Sequence, residues 1–112
     1  MASRDLSVSH NKIGDVLRSQ GNLPAALDAF NASLGIRDRL AKADPGNAQW
    51  QADLAASHGK LGQLHRALGD AAEARRQFET GRAIVEPFAE RSGHQRWIGY
   101  LKIFDAELAA LK

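Results

Sequence analysis

The residues that could do chemistry are few and spread widely. There are four histidines: His10, His58, His65 and His94. A metal ion needs three or four ligands converging on one point. His58 and His65 lie two helical turns apart, roughly 10 Å along an axis, too far to share an ion. The serines Ser7, Ser9, Ser33 and Ser57 could serve as nucleophiles only beside a base, in a concave pocket. They fall instead at small-residue positions of helical patterns. The carboxylates Asp15, Asp28, Asp38, Glu73 and Glu79 are scattered over polar helical phases and form no acid–base pair. With no cysteine in the chain, thiolate chemistry and disulfides are excluded. Gly14 and Gly62 stand alone and build no phosphate loop. No catalytic, cofactor-binding or metal-binding residue is therefore assigned, and no cofactor is expected.

The elements that hold these residues are written twice. Displaced by 48 positions, Asp5 falls on Asp53, Leu6 on Leu54, Ser9 on Ser57 and His10 on His58. Lys12 falls on Lys60, Gly14 on Gly62, Gly21 on Gly69, Ala26 on Ala74 and Phe30 on Phe78 in the same displacement. One residue fewer brings Trp50 onto Trp97 and Leu54 onto Leu101, the start of a third copy. A fixed period of about 20–50 residues marks a stacked repeat array. Such arrays offer extended surfaces that bind, rather than enclosed pockets that react.

Helical periodicity runs through each copy. Leu6, Ile13, Val16 and Leu17 space a first helix over about 4–19, stopped by Gly21. Pro24 opens a second, striped by Leu23, Leu27, Phe30 and Leu34 and running to about Lys42. Asp44-Pro45-Gly46-Asn47 is a stop and a turn. The second copy repeats this pair. Pro87 falls inside its later helix, where a missing N–H and a clash with the preceding turn predict a kink or an early end. A last helix over about 95–111 places Trp97, Tyr100, Leu101, Phe104 and Leu108 on one face. No alternating pattern calls for a strand. The reading is one all-α domain over 1–112, of about five helices in antiparallel pairs. Its parts are repeat one (about 4–47), repeat two (about 48–93) and a C-terminal capping helix (about 95–111).

A large apolar residue, a glycine, an alanine twelve positions on and an aromatic four beyond it recur in phase. They are Ile13, Gly14, Ala26 and Phe30, then Leu61, Gly62, Ala74 and Phe78. This pattern resembles the tetratricopeptide repeat, and it covers nearly the whole chain. The period of 48 exceeds the usual one of about 34 residues, as in the long-helix variant similar to kinesin light chain and bacterial arrays. Histidines His10 and His58 stand where that family carries a large aromatic. The resemblance implies a superhelical stack whose first helices line a concave surface. On this chain that surface is Val8, Asn11, Lys12 and Asp15, then Ala56, Gly59, Lys60 and Gln63, then Ile103, Ala106 and Ala110. Small residues with two lysines between them suit an amphipathic helix or extended peptide carrying acidic residues. Chaperone-binding relatives clamp a terminal carboxylate, but Asp15 and Glu107 would repel one here, so that mode is not expected.

The function this implies is a protein-interaction scaffold, expected as a fragment of a longer array. The alternative is a self-associating module, a homodimer through exposed helix edges. The tryptophan that leads each later copy has no counterpart before Asp5, and Ile13, Val16 and Leu17 lack a covering helix. At the other end, Lys102 and Lys112 are diluted by Ile98, Ala106 and Ala109. A net charge of +2, with basic residues dispersed, argues against nucleic acid. No run reaches the length of a membrane span and the start lacks a leader's apolar core, so a cytoplasmic location is expected.

Overall fold

Three glycines divide the chain into helices by the same device. Gly21, Gly69 and Gly93 take φ of 80°, 84° and 60°, left-handed values that cost glycine nothing. At the first, Asn22 N–H bonds to Leu17 O and Gly21 N–H to Arg18 O; at the second, Asp70 N–H bonds to His65 O and Gly69 N–H to Arg66 O. Both are the paired closure that satisfies a helix's last carbonyls. The next residue at once starts a new helix. Asn22, Asp70 and His94 accept from the N–H of Ala25, Glu73 and Arg96, and Asn47 does the same for Trp50. Caps of this kind satisfy donors that no helical turn can reach.

The result, in a computed structural model that describes residues 2–111, is all-helical. The helices are α1 (Ala2–Ser19), α2 (Leu23–Ala43), α3 (Ala48–Ala67), α4 (Ala71–Ser92) and α5 (Gln95–Ala110), with no strand among the described residues. Lys112, named above as an end charge, lies outside them. The expected break at Pro87 does not occur as an early end: α4 continues through it to Ser92. Pro87 is exposed, and Phe88 beyond it stacks on Trp97 at 4.5 Å, a contact that holds the last turns of α4 against α5 despite the lost helical bond.

Each helix packs on the next. Early residues of one meet late residues of its neighbour: Ser7 meets Arg37 and Gly14 meets Phe30, so α1 and α2 are antiparallel. The odd helices run parallel, joined by Arg4–Asp53, Asp15–Lys60 and Arg18–Gln63 between α1 and α3. The molecule is 39 × 39 × 19 Å. Its thin dimension fits two helix diameters of roughly 10 Å: α1, α3 and α5 form one layer, α2 and α4 the other.

Two apolar clusters fill the layers. Ala26, Phe30, Leu61 and Leu64 form one. Ala52, Ala55, Ala74, Phe78, Val85, Ala89, Trp97 and Phe104 form the larger one. A polar seam joins α1, α2 and α3. Arg37 is only 6% exposed; its Nε donates to Ser7 Oγ at 3.1 Å and its Nη1 to Ser57 Oγ and Asp53 O at 3.0 Å. Burial pushes the Arg37 guanidinium down from its ordinary value, against the pull of Asp53. In the second copy the equivalent of Arg37 is Val85, fully buried in the apolar cluster.

Candidate functional site

The expected concave surface divides into three parts. Ala56, Gly59, Lys60 and Gln63 of α3 join Ile103 of α5 along a hollow of about 350 Å³ between α3 and α5, with Phe78 of α4 among its lining residues. Gly59 is not required for the approach of α5, since a Cβ there would lie 3.7 Å from the Phe104 ring, ordinary contact. On α4, a Cβ on Gly81 would fall 2.5 Å from the same ring. Only glycine at that point allows Phe104 to lie against α4 and form part of the hollow's wall.

The first row does not join the hollow. Val8, Asn11 and Asp15 are half-buried on α1 and none of them lines it. Lys12 turns the other way, to a shallow depression with Ile13, Val16 and Leu17 on the outer side of α1. In the last row, Ala106 and Ala110 are exposed and lie outside the hollow. Lys12 and Lys60, the two lysines expected between the small residues, therefore line different hollows. Lys60 is also engaged: its Nζ donates to Asp15 Oδ1 at 2.8 Å.

The other lining residues come from helices far apart in sequence. Ala52, Ala55, Phe78 and Phe104 make an apolar wall, and Gln49, Asp53, Arg96, Tyr100 and Glu107 form the polar edge. Most edge charges are paired. Asp53 accepts from Arg4 Nε at 2.8 Å and Gln49 Nε2 at 2.9 Å; Glu107 accepts from Arg66 Nη1 at 3.0 Å and Gln63 Nε2 at 3.1 Å. The Arg4 guanidinium, hydrogen-bonded to Asp53, is held above its ordinary value. Arg96 differs. It lies over the Tyr100 ring at 5.6 Å and donates to its hydroxyl at 2.8 Å, and among the described residues it has no carboxylate partner. Sequence reasoning missed Arg96, although the four-residue step to Tyr100 on one helical face is a readable signal.

Chemically, this arrangement can hold an apolar side chain and place a cation beside it. His58 Nδ1 lies 2.8 Å from Gln77 Oε1. Among the described residues no three His, Asp or Glu side chains converge as metal ligands would. No helix is long and apolar enough to cross a membrane. Comparison with protein-family models, curated sequences and solved structures gave no match.

Proposed function

We propose that the chain is a tetratricopeptide-like protein-interaction scaffold and not an enzyme. Its binding site is the hollow between α3 and α5. The observation that carries this reading is the hollow itself: about 350 Å³, walled by Ala52, Ala55, Phe78 and Phe104. A concave apolar site with a few polar groups at its edge is the usual form of a binding site. The duplication supports it, because repeat units stack to make such surfaces.

The partner in this reading is a peptide or helix that inserts one apolar side chain and sets a carboxylate on Arg96. The acidic preference expected of Lys12 and Lys60 thus moves to Arg96, an edge cation with no carboxylate partner among the described residues. A selection from displayed random peptides tests this. Ligands should share an apolar residue flanked by an acidic one. Binding should fall at least tenfold with Ala56→Arg, which blocks the hollow's mouth, and with Arg96→Glu. Both positions are exposed, so the melting temperature should hold. Ligands that bind both variants as well as the native chain would overturn the reading.

A further inference from the structure

The outer face of α1 repeats, residue for residue, a face that is covered elsewhere in the same molecule. Leu6, Ile13 and Val16 are 51%, 51% and 56% exposed. Moved by 48 positions they become Leu54, Leu61 and Leu64, which are 7%, 0% and 0% exposed. The cover on Leu61 and Leu64 is α2, through Ala26 and Phe30. The polar residues of the face are repeated as well. Ser57 Oγ and the Asp53 carbonyl accept from Arg37 of α2, and their equivalents on α1 are Ser9 and Asp5, both exposed. The apolar residues thus recur in order, together with both groups that receive a buried arginine. Beside them, Lys12, Ile13, Val16 and Leu17 line a shallow depression of about 280 Å³.

From this internal copy we propose that the outer face of α1 is a second docking site, separate from the α3–α5 hollow, for a helix of the α2 type. Its ligand is an amphipathic helix with small and aromatic residues against Ile13 and Val16. Two turns beyond the aromatic it carries an arginine, as Arg37 follows Phe30, to reach Ser9 Oγ and the Asp5 carbonyl. Exposed large apolar side chains at helical spacing, with acceptors placed between them, are what α3 would show if α2 were removed. The arginine confers specificity, because a helix with a leucine there would bury the Ser9 hydroxyl without that donor, the Asp5 carbonyl keeping only its bond within α1. A second copy of the chain fits less well. Pairing through α1 would bring like faces together, with no counterpart of Arg37 between them.

The probe is the α2 segment itself, residues 22–44, as a synthetic peptide added to the intact chain. Titration by fluorescence anisotropy should give saturable binding. Ile13→Asp or Val16→Asp in the chain should weaken it at least tenfold, as should Arg37→Ala in the peptide. Both chain positions are more than half exposed, so these variants keep their fold. A helix taken out of its protein loses the tertiary packing that supplies most of its stability. A second form therefore tethers the same segment to the chain's first residue through a flexible Gly/Ser linker, which raises its effective concentration to the millimolar range. The tethered chain should melt higher than the native one, and Ile13→Asp should remove that gain while leaving the untethered chain unchanged. A tethered segment that gives no gain, or a gain that survives Ile13→Asp, overturns the proposal. So does a concentration-dependent dimer of the native chain that Ile13→Asp abolishes, since a second copy would then hold the face.

Discussion

The ring of Phe30 occupies the space into which a side chain on Gly14 would project: a Cβ built there would lie 2.5 Å from Phe30 Cε1. Phe78 stands in the same relation to Gly62. Both rings are fully buried. Each pair is a close approach of two helices, made once per repeat.

Phe30→Ala and Phe78→Ala should each cost about 3–5 kcal/mol, the usual penalty for emptying a buried aromatic site. Gly62→Ala should also destabilise, by about 1–3 kcal/mol, as overpacking does. The direction of that change is informative, because alanine is the better helix former by about 1 kcal/mol. Urea unfolding reads all three. Midpoints that stay in place for the phenylalanine variants would remove those rings from the core.

Arg37→Ala should cost roughly 2–4 kcal/mol, since the Ser7 and Ser57 hydroxyls lose their buried donor and the Asp53 carbonyl loses the second of its two. A triple change, Arg37→Met with Ser7→Ala and Ser57→Ala, should recover most of that loss, because an apolar replacement needs no buried donors or acceptors. The second copy already carries Val85 at this position. A triple variant no more stable than Arg37→Ala would show that the arginine holds the seam by more than its hydrogen bonds.

Glu73 is held below the ordinary carboxylate range, first by the hydrogen bond from Gln77 and then by that from Arg76. A depressed folded-state value stabilises above the unfolded value of about 4.3 and is lost as pH falls through the lower folded value. The native chain should therefore exceed Glu73→Gln in stability at neutral pH. That difference should shrink below about pH 4. A gap that widens on acidification would refute the assignment.

Pro87→Ala should raise stability by about 1–3 kcal/mol. It restores an N–H to the interior of α4 at an exposed position and removes the ring's clash with the preceding turn. Calorimetry would show a higher melting temperature. A lower one would mean that α4 is bent at Pro87 in a way that seats Phe88 on Trp97.

Lys60→Glu sets a second carboxylate against Asp15, its partner across α1 and α3. Both groups are more than a third exposed, so the loss should not exceed about 1 kcal/mol, and added salt should shrink it. Equal stability at low salt would show that the pair carries nothing.

Much of this chain was legible in its sequence because its determinants are local or repeated. Gly21-Asn22 and Gly69-Asp70 close one helix and cap the next with atoms a few residues apart. The matched Gly14–Phe30 and Gly62–Phe78 spacings show where helices touch. The exposure of Ile13 and Val16 followed from counting helices: α3 is covered by α2, and among the described residues no helix stands in that place against α1. Tertiary structure decided the rest. Arg37 reads in sequence as one more charge on a helix; its burial exists only because Ser7 and Ser57, thirty and twenty positions away, converge on it. Lys12 and Lys60 are repeat equivalents, yet Lys60 faces Asp15 across the helix layer while Lys12 lies on the layer's open edge. The hollow draws Ala52, Phe78 and Arg96 from three helices. The physical reason is one of range: turns and caps are fixed by neighbours in the chain, whereas a hollow and a buried charge are fixed by which faces meet.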